Sequence, residues 1–219
     1  LFLHYDHADI GDEPLGYMIE NRDMRAGLVR LTEKTAGLTV VAPAQIVATN
    51  RDDGAASVTL DDGSTIAGRL IVAADGRGSA TREAAGISVT GWRYNQNAIV
   101  ATIGHTVSHQ GIAHERFLAS GPFAILPLKG GHRSSLVWTE RSALVDSFMA
   151  LDDDAFLSEI TERVGGFLGD LSLVGPRFQH PLGLQVASSY TDTRLALVGD
   201  AAHGIHPIAG QGLNLGLRD

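Results

Sequence analysis

The chain has 219 residues with a formal net charge of −8, 44% hydrophobic and 19% charged residues, long enough for one large domain or two small ones around a real core. An acidic balance without a basic run argues against a nucleic-acid partner, and the absence of cysteine excludes disulfides, thiolate metal sites and a cysteine nucleophile. No apolar run reaches the roughly 18 residues of a membrane span, and no signal peptide is visible, so any membrane contact is expected to be peripheral.

The sequence begins with Leu1 and stops at Asp219 just after a helix start, which reads as a portion of a longer protein. Residues 16–20 alternate like a short strand. Asn21 then stands where a helix cap is expected, with Met24, Leu28 and Leu31 at helical spacing through about Glu33. On spacing alone, Arg25 reads as a solvated arginine beside that apolar stripe. Strand-type runs follow over 38–41, 44–49 and 55–60, and Asp61-Asp62-Gly63 marks a tight turn before 65–73, predicting a β-meander.

The apolar run 70–74 ends in Asp75-Gly76-Arg77-Gly78-Ser79, with Arg82 beyond. A buried strand that turns through Asp-Gly into a helix capped by Ser79 has the geometry of a dinucleotide edge, although Asp-Gly by itself is only a turn signal. From Thr90 the pattern changes to long polar–apolar alternation over 97–105, 113–119, 122–128 and 134–139, predicting antiparallel strands joined by glycine turns. Residues 152–164 read as an amphipathic helix with Phe156, Ile160 and Val164 in register.

The last 25 residues, LALVGDAAHGIHPIAGQGLNLGLRD, run strand, acid, glycine loop, helix. Gly199-Asp200 ends the strand; Pro207, Gly210 and Gly212 shape the loop. Glycines allow close backbone approach to a ligand, and a new helix offers unpaired N–H groups to an anionic or electron-rich one. An Asp at a strand end accepts hydrogen bonds from sugar hydroxyls, so sugar is expected at Asp200, with ring or phosphate nearer the glycines.

This closing stretch resembles the signature of FAD-dependent monooxygenases that hydroxylate ubiquinone precursors, a branch of the aromatic hydroxylases typified by p-hydroxybenzoate hydroxylase. The run ADGRGSATR is similar to the Asp-Gly fingerprint of flavin hydroxylases, and YNQ at 94–96, AHERF at 113–117, GPFAILPL at 121–128 and SLVW at 135–138 resemble the ubiquinone-pathway subgroup. The resemblance implies an α/β (α+β) fold: a partial FAD/NAD(P)-binding Rossmann-like domain (1–89 and 186–219) with an inserted, mostly antiparallel β-sheet substrate domain (90–185). It also implies FAD as cofactor, NAD(P)H as reductant and ring hydroxylation of a polyprenylphenol by O2 through a flavin hydroperoxide. Partners would be that small aromatic molecule, a ubiquinone-biosynthesis multienzyme complex and a peripheral membrane contact. The location would be the cytoplasm or the periphery of the inner membrane.

By the same resemblance, Arg25 meets the FAD pyrophosphate or ribose, and Asp75 and Gly76 serve the pyrophosphate and NAD(P)H. Gly199 and Asp200 bind ribityl or ribose hydroxyls. Pro207, Ala209, Gly210 and Gln211 wall the flavin, and the amides of Gly212, Leu213 and Asn214 face its pyrimidine end. Leu126, Pro127 and Leu128 line the substrate pocket or are sheet core. No catalytic base is assigned.

The nine histidines include the close pairs His4/His7, His105/His109 and His203/His206, none with the intervening Glu of a zinc helix, so no metal is expected. Ser134 and Ser135 lack a nucleophile-elbow context. Two other readings stay open: another FAD enzyme of this fold, a prenyl reductase or a halogenase, or a non-catalytic scaffold subunit. Trp92 and Trp138 are isolated, unlike the Trp-x-Trp pair of halogenases. Because the N-terminal G-x-G-x-x-G unit of the resembled family does not occur in these residues, the 219-residue chain is expected to purify colourless; flavin absorbance in the purified polypeptide would contradict this.

Overall fold

The computed structural model describes residues 2–219, so Leu1 lies outside the described residues. In chain order, helix α1 (Asn21–Thr32) precedes strands β1 (Ile46–Arg51), β2 (Ala56–Leu60), β3 (Thr65–Gly68) and β4 (Ile71–Ala73) and the short helix α2 (Ala80–Ala84). Strands β5 (Val89–His105), β6 (His114–Leu118), β7 (Gly121–Pro127) and β8 (Arg133–Arg141) follow, then helices α3 (Ser142–Met149) and α4 (Asp153–Val164). The last elements are β9 (Leu171–Leu173), β10 (Phe178–Ala187), β11 (Thr191–Asp192), β12 (Leu195–Leu197), β13 (His203–Gly204) and helix α5 (Gly212–Gly216). This is the mixed α/β architecture expected, with mostly antiparallel pairing.

The chain forms two compact units. The first takes the described residues up to Thr39, with Ile99–Thr139 and Asp146–Phe178; the second takes Val40–Ala98, Glu140–Val145 and Gln179–Asp219. Residues 90–185, read from sequence as one insertion, therefore contribute to both units.

In the first unit, the later part of β5 neighbours β8, followed outward by β7 and β6. The register of β7 and β8 sets Phe123 opposite Trp138 and Ile125 opposite Leu136, and all four are buried. Alternation thus puts one face of the hairpin into the core, as a two-residue period requires. Helix α4 closes that core. Asp152 caps it by accepting from the Ala155 amide at 2.8 Å, and Phe156, Ile160 and Val164 recur at four-residue spacing on its buried face. Trp138 packs against Phe148 and Phe156 with ring centroids 4.5 and 5.8 Å away, while the Arg163 guanidinium lies 4.2 Å above its ring.

Three local expectations differ from the structure. Residues 16–20 and 38–41 are not strands; Tyr17, Ile19 and Val40 are exposed, and an alternating pattern without a partner strand has no ladder to join. The residue preceding α1 is Glu20, which makes no side-chain cap bond. The apolar stripe of α1 is left uncovered among the described residues, with Leu28 and Leu31 more than half exposed.

The second unit holds two sheets of its own. Strands β1, β2 and β3 form the expected antiparallel meander. Strands β4 and β12 pair in parallel, Ile71 opposite Leu195 and Ala73 opposite Leu197, and β11 adds antiparallel to β12. Ala73, Ala187, Leu195, Leu197 and Ala202 make the core beneath, with Ile71, Ala85 and Ile87 packed on it. Small alanines at these positions let the strand ends and the turns beyond them approach closely. Arg194 joins the meander to this sheet by donating to the carbonyls of Asp52, Asp53 and Arg69.

The early part of β5 and β10 also approach closely within this unit. A side chain on Gly91 would strike the Leu184 carbonyl oxygen, and one on Gly183 would stand 2.8 Å from the Trp92 carbonyl oxygen. Backbone cannot yield as a side chain can. Gly91→Ala is therefore expected to destabilise the protein by about 1–3 kcal/mol, read as a lower denaturant midpoint, whereas Gly166→Ala, where an added Cβ meets nothing within 4 Å, leaves that midpoint nearly unchanged.

Candidate functional site

The parallel register of β4 and β12 brings two sequence-distant turns side by side in the second unit. Each strand leaves the sheet at its carboxyl end, β4 towards Asp75-Gly76 and β12 towards Gly199-Asp200, and the Val198 amide donates to the Ala73 carbonyl at 3.0 Å. Adjacent carboxyl ends of parallel strands are where open α/β sheets bind ligands. Gly76 (φ +82°) and Gly199 (φ +58°) turn the chain in left-handed conformations that side chains resist.

The first turn is largely occupied with starting α2. The Ser79 hydroxyl donates to Asp75 Oδ1 at 2.5 Å and accepts from the Arg82 amide at 3.0 Å, while the Thr81 amide donates to Asp75 Oδ2 at 3.1 Å. Partial burial works to raise the Asp75 pKa, but the bonds from Ser79 and Thr81 together outweigh it and hold the carboxyl below its ordinary value. Asp75 thus caps a helix. From that helix Arg82, 4% exposed, donates to the Ala201 carbonyl at 3.0 Å and to the Arg77 carbonyl at 3.1 Å, which ties the two turns together.

The second turn presents the opposite case. Asp200 has a side chain 56% exposed, facing Arg77 at 3.9 Å, and this weak pair leaves its oxygens available as acceptors. The Arg77 guanidinium lies against Gly204, where a Cβ would meet its Nη2 at 2.6 Å, so a side chain there would require the guanidinium to shift. Beyond the turn, Asp219 accepts from the Gly199 amide at 2.7 Å and bonds His203 Nε2 at 2.9 Å.

The glycine loop follows. His206 Nδ1 accepts from the Ile208 amide at 3.1 Å, capping the short turn Pro207–Ala209, and Gly210 (φ +59°) ends it in a left-handed conformation. The His206 ring meets Tyr94 edge-on at 5.2 Å. In α5 the first intrahelical bond runs from the Leu215 amide to the Gln211 carbonyl at 2.9 Å, so the amides of Gly212, Leu213 and Asn214 precede the ladder, on exposed residues. Gln211 Oε1 accepts from Asn214 Nδ2 at 3.0 Å. Helix α5 sits close to the second turn because Gly216 has no side chain; a Cβ there would stand 3.1 Å from Gly199 Cα.

The second unit therefore gathers Asp75, Gly76, Gly199, Asp200, Pro207, Ala209, Gly210, Gln211, Gly212, Leu213 and Asn214. Arg25 and Leu126–Leu128 belong to the first unit. Arg25 is exposed on α1, Leu126 and Pro127 are half-buried, and Leu128 is buried, with its carbonyl accepting from His109 Nε2 at 2.8 Å. Sequence reasoning did not single out Gly204, Gly216, His203 or Asp219 for the contacts they make. Their signal was present only as letters inside a motif, since the partners that give them a task lie elsewhere in the chain or across a loop. Among the described residues no three His, Asp or Glu side chains gather to hold a metal, and no helix is long and apolar enough to cross a membrane.

Comparison with known proteins shows the family. The family described as FAD binding domain matches residues 14–219. The chain belongs to the family of FAD-binding domains. It is similar to ubiquinone hydroxylase UbiL of Rhodospirillum rubrum, 52% identical over 219 residues covering 100% of this chain and 51% of the relative. It is also similar to 3-demethoxyubiquinol 3-hydroxylase of Escherichia coli, 34% identical over 216 residues covering 98% of this chain and 54% of the relative. The chain thus spans about half the length of these relatives. Among solved structures, PqsL, a probable FAD-dependent monooxygenase from Pseudomonas aeruginosa, shares the fold with a TM-score of 0.75 at 24% identity, over 89% of this chain and 56% of that one.

The donor set fits the cofactor of this family. A flavin dinucleotide offers hydroxyls to an exposed carboxylate such as Asp200, and it needs backbone approach without Cβ obstruction, which Gly212 grants because an added Cβ there meets nothing within 4 Å. The histidine at the loop start gives a pH test. Burial pushes the His206 pKa below its ordinary value, so the folded state favours the neutral ring, whose Nδ1 accepts the Ile208 amide. Stability from this group is fully present above the unfolded value of about 6.5 and is lost as pH falls through the lower folded value. The His206 ring is expected to titrate below about pH 6.5, with Ile208 amide protection falling in the same range; titration above it would contradict the assignment.

Proposed function

We propose that the protein of which this chain forms part is an FAD-dependent monooxygenase that hydroxylates the aromatic ring of a polyprenylphenol in ubiquinone biosynthesis. The observation that carries the reading is the pair of parallel strand ends, one turning through Asp75-Gly76 and the other through Gly199-Asp200, tied by Arg82. The names of the relatives, a ubiquinone hydroxylase and a 3-demethoxyubiquinol 3-hydroxylase, support the substrate class. Residues 1–89 and 186–219 would serve FAD, and residues 90–185 the substrate.

When bound, FAD supplies oxygen chemistry that side chains lack, using electrons from NAD(P)H. The chain's own residues bind and orient. Asp200 accepts hydrogen bonds from ribityl or ribose hydroxyls, and the amides of Gly212, Leu213 and Asn214 stabilise negative charge at the pyrimidine end of the ring system. Pro207, Ala209, Gly210 and Gln211 form a wall that excludes water. Gly76 brings backbone towards the pyrophosphate while Asp75 holds α2 in place. Arg25 serves the pyrophosphate or ribose, and Leu126, Pro127 and Leu128 contact the phenol. No side chain is assigned as a base. A polyprenyl tail would account for peripheral attachment to the inner membrane and assembly with other enzymes of the pathway.

The test uses the protein at its natural length, loaded with FAD and reduced anaerobically by NADPH or NADH with and without polyprenylphenols. Phenol-stimulated reduction, followed on admission of air by a product heavier by one oxygen atom, is expected. Reduction indifferent to every phenol, with no oxygen inserted, would turn the assignment towards a reductase, a halogenase or a scaffold.

A further inference from the structure

Asp219 has no task in the reading above, yet its side chain is only 15% exposed and accepts three contacts. The Gly199 amide donates to Oδ2 at 2.7 Å, and His203 Nε2 stands 3.0 Å from Oδ1 and 2.9 Å from Oδ2. A carboxylate only accepts, so His203 Nε2 carries the proton whether the ring is neutral or charged. The bond from His203, with that from the Gly199 amide, outweighs the raising effect of burial and holds the Asp219 pKa below its ordinary value, keeping the acceptor ionised.

The turn around Asp200 is fastened at several points. The Val198 amide reaches the Ala73 carbonyl at 3.0 Å, the Ala187 amide reaches the Ala202 carbonyl at 2.8 Å, and Arg82 reaches the Ala201 carbonyl at 3.0 Å. These hold residues before and after the Gly-Asp pair. Gly199, the left-handed residue before Asp200, is itself held at both groups: its carbonyl accepts from the Ala202 amide at 2.9 Å, and its amide, which sets the entry to the turn, donates to Asp219. Since Asp219 lies three residues beyond Gly216, the last residue of α5, the same carboxylate also links the turn at Asp200 to the loop that ends in α5.

We propose that Asp219, oriented by His203, is a positioning residue that sets the direction and spacing of Asp200 relative to the glycine loop, and so the seat of a hydroxylated chain such as the ribityl or ribose portion of the dinucleotide. This rests on the flavin reading of the site. The position acts through Gly199 and not by touching the cofactor.

The experiment is a mutant cycle in the protein at its natural length, with FAD affinity read from flavin fluorescence and Gly199 amide exchange read in the ligand-free protein. Asp219→Ala is expected to weaken FAD binding about tenfold and to expose the Gly199 amide. In an Asp200→Ala background the further loss shrinks to less than about twofold, because there is no carboxylate left to aim. Asp219→Asn, which keeps one acceptor, falls between, and it carries the cycle if the alanine variant does not fold. Equal affinity in wild type and Asp219→Ala, or an equal loss in both backgrounds, overturns the proposal while leaving the flavin site standing. Failure of the unmodified protein to take up FAD overturns the flavin reading and this inference with it.

Discussion

The candidate site depends on one buried guanidinium. Arg82 is 4% exposed and spends its donors on the carbonyls of Ala201 and Arg77. Removing an ionised group from water is costly unless its hydrogen-bonding capacity is met. Arginine suits the position because its planar fork reaches two acceptors at once and its charge is more weakly hydrated than an ammonium. Each carbonyl belongs to a different turn, one after β4 and one after β12. Parallel pairing makes the strands neighbours, but it ends with the ladder; Arg82 extends the alignment into the turns.

Around that bridge, two aspartates at equivalent strand ends do different work. Asp75 has both oxygens engaged by Ser79 and Thr81, so it fixes the start of α2 and with it the position of Arg82. Asp200 keeps its carboxylate exposed, facing Arg77 at 3.9 Å. At that separation and exposure the pair contributes little to stability. Its value lies in leaving an acceptor free beside a positive charge. Sequence equivalence of the two acids would suggest equivalent ligand roles, whereas hydrogen-bond accounting separates a structural acid from an available one.

The elements most legible in the sequence are those whose pattern and partners are local. Phe156, Ile160 and Val164 announced α4, whose first expected residue, Asp152, is in the structure its cap. The meander was marked by Asp-Gly turns, and Ser79 was readable as a cap. Helix α3 went unread because Ser142 follows Arg141 of β8 directly, without a loop or turn to punctuate the change. Residues 16–20 and 38–41 carried strand-like patterns without a partner to pair with, and periodicity reports the face a segment offers, not whether anything meets it. At the site, Asp75, Gly199 and Asp200 were visible as turn and strand-end residues. The contacts of Arg82 with Ala201 and of Gly216 with Gly199 depend on which strands pair, which no local signal encodes.

Helix α5 shows the same dependence at its extreme. Five residues make barely one turn, too short to repay nucleation in water, and two of them, Gly212 and Gly216, lower helix propensity further. Its orientation must therefore come from contacts at its ends. Gly216 lies against Gly199 so closely that a Cβ would intrude at 3.1 Å, and Asp219 fastens the far side to the Gly199 amide. The glycine that weakens the helix is also the one that lets it dock. A loop so built is ordered by the strand-end turn it rests on, so any change that displaces Gly199 is transmitted to the amides of Gly212, Leu213 and Asn214 without altering a residue among them.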